Sequence, residues 1–361
     1  MRRRTFLICA GPIALLVASC GTGSTDHTEK AQTAFAAQDY ISAGREASQA
    51  LETDPEDKAL LAILAQSFLA QGEGEGALRA AQRLGDAGGD AGQVALLQSE
   101  ALLQLGKSTE ALEVIESLQT PDAWRLRAIA AIHEEDDRRA AAAFARGRKL
   151  EGSKAKLLAT QANWLLANLR LPEARIVVEK LREEAPERLE TLFLSATLAQ
   201  AEGKGAQALE AFQAILEKAP LDRPALLGAI AELGAQGRID EIRPLVVRAR
   251  EAMPQDMEFI YLDARIAAAD GDWPAVRQLL QAHESRLIDH PDARGLYGNA
   301  LIETGNPQLA RGHLAPLYRT HPESAEIAFA YARALAETGD RDQSAVIMEK
   351  LKEAGVGPVG S

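Results

Sequence analysis

Glycine returns at a spacing of 34 residues in this 361-residue chain, at Gly203, Gly237, Gly271, Gly305 and Gly339, and earlier at Gly72 and Gly106. A fixed period between 20 and 50 residues implies one supersecondary unit stacked on itself, each copy burying its apolar face against the next. A second series follows the same register five residues behind the glycines: Ala43, Ala77, Ala111, Ala140, Ala174, Ala208, Ile242, Val276, Ala310 and Ser344. Every step is 34 except one, from Ala111 to Ala140, which is 29. Prolines close several units, at Pro55, Pro186, Pro220, Pro254 and Pro322.

The chemistry of these positions describes a helical hairpin. Glycine ends a first helix, A, because the left-handed C′ conformation carries no Cβ penalty there. Asp272, Asn306 and Asp340 follow their glycines and are expected to cap the second helix, B. Small residues at the A/B crossing let two backbones approach. Apolar residues at helical spacing, such as Ala208, Phe212 and Ile215, form the buried stripe. Proline then ends helix B.

The units Ala196…Gly203…Ala208…Phe212…Pro220 and Trp124…Ala128…Ala140…Phe144 resemble the tetratricopeptide repeat. Ten units in register, with the array placed at residues 27–353 and a flexible tail at 354–361, carry the resemblance along nearly the whole chain. It implies an all-α fold, a right-handed α-α superhelix of about ten helix-turn-helix units, that binds proteins or peptides. In such a fold the A helices line the ligand groove. Helical projection places Gln66, Glu100, Arg125, Ile129, Asn163, Phe193, Thr197, Gln200, Tyr261, Arg265, Asn299, Phe329 and Arg333 near that face. Asn163 and Asn299 match the asparagine register of the carboxylate clamp known in some members. Ala159 and Gly295 stand where that clamp needs lysine, so no clamp is expected. Trp124 occupies the family's tryptophan position, and Trp164 reads as core.

The N-terminal residues follow a different logic. Arg2, Arg3 and Arg4 precede the apolar stretch Phe6 to Ala18. That stretch is too short to cross a bilayer as a helix, which takes about 20 residues, and it reads as an export signal at 1–19. It ends in Val17-Ala18-Ser19-Cys20, which resembles a bacterial lipobox. The resemblance implies that Cys20 is lipidated and becomes the mature N-terminus. A flexible tether is expected at 20–26. Arg3-Arg4-Thr5-Phe6-Leu7 also resembles a twin-arginine signal, so the export route stays open between two pathways. Gly21 after the lipidated cysteine, where an aspartate is absent, implies the outer membrane, periplasmic face, if the cell is Gram-negative. Cys9 and Cys20 are the only cysteines, so the mature array would hold no disulfide.

Removing Arg2, Arg3 and Arg4 takes the formal charge from −12 to −15. The acids are spread evenly, which argues against nucleic acid as partner. Residues 138–156 are the exception: Arg138, Arg139, Arg146, Arg148, Lys149, Lys154 and Lys156 stand against Glu151 alone. Arg138, Arg139, Arg146 and Lys149 share one helix face, with Ala140, Phe144 and Gly147 opposite. That basic patch would suit an acidic partner or an anionic glycan or lipid.

Nothing points to catalysis, a metal or a cofactor. The six histidines form no HExxH and no Cys/His cluster. His133-Glu134-Glu135-Asp136-Asp137 falls at a turn where charges are normally solvated. Two GxGxxA strings, starting at Gly72 and Gly203, follow helices where a dinucleotide loop needs a strand. Pro316 and Gly312 predict a kink in a B helix that Asn306-Pro307 begins. The expected function is a lipid-anchored interaction scaffold of a cell-envelope machine: outer-membrane assembly, pilus biogenesis or polysaccharide export. The alternative is a periplasmic chaperone-like binder of extended peptides.

Overall fold

The computed structural model describes residues 22–354, with side chains from Asp26 onward. The signal segment, Cys20 and residues 355–361 lie outside the described residues. Among those described there is no strand. The helices fall into two compact units, residues 1–186 and 187–361, each with five helical hairpins.

In the first unit α1 (Thr22–Ala36) pairs with α2 (Tyr40–Thr53), α3 (Lys58–Ala70) with α4 (Gly74–Asp86), and α5 (Ala91–Gln104) with α6 (Ser108–Val114). Then α7 (Pro121–His133) pairs with α8 (Asp137–Gly147), and α9 (Ala155–Ala167) with α10 (Leu171–Glu184). The second unit pairs α11 (Leu189–Ala201) with α12 (Gly205–Lys218), α13 (Arg223–Ala235) with α14 (Ile239–Ala252), and α15 (Met257–Ala269) with α16 (Trp273–Gln281). A 3₁₀ segment, Glu284–Asp289, precedes α17 (Pro291–Glu303), which pairs with α18 (Pro307–Thr320); α19 (Ala325–Glu337) pairs with α20 (Arg341–Glu353).

Every hairpin turns through one left-handed residue. The seven glycines of the register have φ between +69° and +92°. The three hairpins without a register glycine use Gln38 (φ 60°), Glu135 (φ 57°) and Leu169 (φ 55°). The backbone therefore keeps ten identical reversals even where the sequence supplies a residue that disfavours them.

Five positions further on, the small residue sits at the helix crossing. Ala43, Ala77, Ala111, Ala140, Ala174, Ala208, Val276 and Ala310 are fully buried, and Ile242 and Ser344 nearly so. Ser344 tolerates burial because its hydroxyl donates to the Ala332 carbonyl at 2.7 Å. Gly298, in α17, is buried for the same steric reason: a Cβ there would lie 2.6 Å from Leu314 of α18. Its helix-propensity cost is exchanged for close packing.

Capping departs from expectation. Asp272 caps α16 by accepting from the Ala275 amide at 3.0 Å, but neither Asn306 nor Asp340 accepts a cap bond. The Asn306 amide donates to the Thr304 carbonyl, and Asp340 accepts from Arg311. Capping falls more often on A helices, where Asp57, Asp90, Thr120, Asp222 and Asp256 accept from backbone amides. Of the tether expected at 20–26, residues 22–26 are instead the first residues of α1, while 20 and 21 lie outside the described residues. Once α1 packs on α2, each added residue gains a hydrogen bond for little entropy, which outweighs the weak helix propensity of Gly, Ser and Thr. Helix α18 runs unbroken through Pro316. The hydrogen bond lost to the proline ring is the one to Gly312, an exposed residue whose carbonyl can turn to water.

A repeated arginine clamp ties α14, α16 and α18 each to the next hairpin. Arg243 donates to both Asp270 carboxylate oxygens at 3.0 and 3.1 Å. One repeat on, Arg277 donates to the Thr304 hydroxyl, and Arg311 to the Thr338 hydroxyl, each at 3.3 Å. Asp270, Thr304 and Thr338 are the C-cap residues of α15, α17 and α19. Each guanidinium thus sits at the negative end of a helix, worth about 0.3–1 kcal/mol on a partly exposed surface.

The turn geometry makes a paired prediction. Leu169 is 79% exposed, so its side chain contributes little burial to offset its left-handed backbone. Leu169→Gly should stabilise the chain by about 1 kcal/mol, and Gly271→Leu, where a Cβ would have open space, should destabilise it by about 1–2 kcal/mol. Chemical-denaturation midpoints of the two variants check the sign of each.

Candidate interaction surface

The A-helix residues behave differently in the two units. In the first, Glu100 of α5 and Arg125 of α7 meet as a bidentate ion pair, with Arg125 Nη1 and Nη2 donating to the two carboxylate oxygens at 3.0 and 2.7 Å. The Arg125 side chain is only 8% exposed and Glu100 30%; Asp122 lies 3.6 Å from Arg125 Nε. The solvated groove arginine expected from helical projection is therefore corrected to a buried clamp between neighbouring A helices. The two side chains stand four residues short of one repeat step apart, the same offset that brings Arg333 to Glu303 across a regular 34-residue step. Gln66 is half-buried and donates back to the Ala62 carbonyl of its own helix. Asn163 is exposed on α9, beside the fully buried Ala159.

In the second unit the projected residues form short polar links across successive A helices. Gln200 donates to Glu232 at 2.8 Å, and Arg333 pairs with Glu303 at 2.8 Å. Tyr261 lies between Arg265, 5.8 Å from its ring, and His290, 5.1 Å away. His290 in turn lies 3.3 Å from Glu258. Burial raises the Tyr261 phenol above its ordinary pKa, so it stays a neutral hydrogen-bonding group. Phe193 and Phe329 are half-buried and pack against apolar clusters. Asn299 is half-buried beside Gly298 and Ala300, and glycine stands at 295 where the clamp would need lysine.

Sequence reasoning missed Glu232, Glu258, His290 and Glu303 as partners on this face. The available signal was complementary polar residues about one repeat apart, as in Gln200 with Glu232 and Arg223 with Asp256. On α8, Arg138, Arg139 and Arg146 are exposed while Ala140, Phe144 and Gly147 are buried, the arrangement that 100° per residue requires; Lys149, expected on the same face, is exposed but lies in the turn beyond the helix, which ends at Gly147. Arg139 pairs with Glu134, and Asp136 caps α8 through the Arg139 amide at 2.9 Å. Those contacts occupy two acids of the His133–Asp137 tract, and Glu135 makes the left-handed turn. Trp164 is 6% exposed, with its ring 5.6 Å from Phe144.

A tetratricopeptide-repeat model matches residues 64–123 and 296–354. No curated protein sequence matches the chain. Among solved structures it is similar to a chain of the APC/C hetero-tetramer Cut9–Hcn1, at 12% identity and TM-score 0.40, covering 91% of this chain and 86% of that one. It is also similar to yeast Tom70, at 14% identity and TM-score 0.36, covering 93% and 92%, and to human IFIT1 from its dimer with m7Gppp-AAAA, at 12% identity and TM-score 0.43, covering 92% and 72%.

The Glu100–Arg125 pair is testable. Burial pushes the Glu100 carboxyl up, but the Arg125 charge and its hydrogen bonds outweigh this and hold it below the usual value. A carboxyl depressed in the folded state stabilises above its unfolded pKa, and that stability is lost as pH falls through the folded pKa. At neutral pH Glu100→Gln should cost about 2–3 kcal/mol, less than removing a partner from a fully buried pair, because the amide can still accept one bond. Urea titrations over a pH series should show wild type and variant converging in acid.

Proposed function

We propose that this chain, which a tetratricopeptide-repeat model matches at residues 64–123 and 296–354, is a lipid-anchored scaffold of a bacterial cell-envelope machine. A repeat array of this kind is a protein-interaction scaffold: its stacked hairpins present a continuous row of side chains, and each unit is held by its neighbours. The observation that supports interaction here is the second unit's A-helix row, where Phe193, Tyr261 and Phe329 are half-buried among polar links. Half-exposed aromatics framed by hydrogen-bonding groups are the composition of protein-binding surfaces.

The envelope assignment rests on the N-terminal sequence. Arg2-Arg3-Arg4, the apolar stretch to Ala18 and Val17-Ala18-Ser19-Cys20 together support export and acylation at Cys20. One acyl chain holds a protein to a membrane only marginally, whereas several hold it firmly. With Gly21 next to the anchor, the reading is an array facing the periplasm from the outer membrane, serving outer-membrane assembly, pilus biogenesis or polysaccharide export through envelope protein partners.

Metabolic labelling with a fatty-acid probe tests the anchor. The wild-type chain should take up label and fractionate with membranes, and Cys20→Ser should lose both. An unlabelled wild type contradicts the lipid anchor. A labelled chain with no stoichiometric envelope partner after cross-linking contradicts the scaffold role.

A further inference from the structure

The one irregular step in the array leaves a hollow beside it. Helix α6 has seven residues where α2, α4 and α12 have 13 or 14. The five residues missing from the period correspond to about 7.5 Å of helix, nearly a turn and a half. Arg127 of α7 closes the truncated end: its guanidinium donates to the carbonyls of Ile115, Glu116 and Leu118 at 2.7, 3.1 and 3.0 Å. These are carbonyls that a full-length helix would have satisfied itself.

Beside this cap lies an open hollow of about 720 Å³ lined by residues of α6, α7 and α8. Leu112, Ala142 and Ala143 supply apolar wall. The Trp124 ring borders it, with the Arg127 guanidinium 4.7 Å from the ring centroid and that of Arg146 5.9 Å away. Arg139 and Arg146 line the hollow from α8, and Glu116 is the single acid on its wall. Arg127 is committed to the cap and Arg139 to Glu134. Arg146 is exposed and forms no hydrogen bond or ion pair among the described residues. Arg138 and Lys149 add positive charge nearby, on a chain whose net charge is −12.

We propose that this hollow docks an acidic peptide segment of a partner protein, a short stretch carrying a carboxylate next to an apolar side chain. The proposal rests on the scaffold reading and narrows it. The carboxylate meets Arg146, whose planar fork suits bidentate pairing. The apolar neighbour covers Leu112, Ala142 and Ala143. A sugar ring fits less well, because the Trp124 ring already carries the Arg127 guanidinium. The positive patch on an acidic chain selects acidic segments and repels a second copy's predominantly acidic surface.

The test uses the purified full-length chain and a short labelled peptide alternating glutamate with leucine, read by anisotropy, with Trp fluorescence as a second signal. Its glutamine analogue is the neutral control. Binding should saturate for the acidic peptide only. Arg146→Gln should weaken it about ten- to hundred-fold, the loss of one charge-assisted hydrogen-bonded contact. Ala142→Glu, which puts a carboxylate on the wall, should abolish it. Arg138→Gln, on the same helix outside the hollow, should change it by less than about two-fold. Both arginines are exposed, so unfolding does not mimic these results. Equal loss in the two arginine variants, equal binding of the glutamine peptide, or tighter Arg146-dependent binding of a sulfated oligosaccharide would each overturn the proposal. If an acylated chain still cross-links to its envelope partner while the acidic peptide fails, this inference falls and the scaffold reading stands. If Cys20 carries no acyl chain but Arg146-dependent binding persists, the lipid anchor falls and this inference stands.

Discussion

The packing in this protein depends on a backbone reversal through one left-handed residue, repeated ten times, followed five residues later by a side chain small enough for two helices to cross. The reversal fixes the direction in which helix B returns, and the small residue fixes how closely it lies on helix A. Burial at the crossing is complete or nearly so in every hairpin. The remaining interactions, including the arginine clamps, N-caps and aromatic contacts, adjust a geometry that these two positions already set.

This division explains which parts were legible beforehand. The crossing series was readable throughout, because packing at the crossing tolerates few side chains and a period of 34 makes the constraint visible. The turn series was readable only where glycine occupies it. Gln38, Glu135 and Leu169 give no local signal of a left-handed backbone, and their conformation follows from the hairpins on either side. Local propensity yields here to tertiary packing. The same competition lets α1 extend to Thr22 through residues that favour a loop in isolation.

The surface was less legible. Helical projection located the A-helix face but could not tell a solvated side chain from one drawn into a neighbour. Arg125 is the clearest case, since its charge is buried against Glu100 of the preceding A helix. The 29-residue step was visible as a number. Its consequence, a truncated α6 capped by Arg127 with a basic hollow beside it, depends on three elements that meet only in space. The polar links one repeat apart carry a weak periodic signal, which a search by residue class could have found and a search by glycine could not.

In an array held by repeated local contacts, each hairpin should draw its stability from its neighbours, and damage should stay near its source. Ala208, fully buried at the α11/α12 crossing, is the place to test this. Ala208→Trp overpacks that crossing at a cost of about 1–3 kcal/mol. Native-state hydrogen exchange on the variant should show protection lost first in α11 to α14, while amides of α17 to α20 keep their wild-type rates. A uniform loss of protection through all the helices of that unit would mean a single cooperative core, and would contradict the account of a modular array.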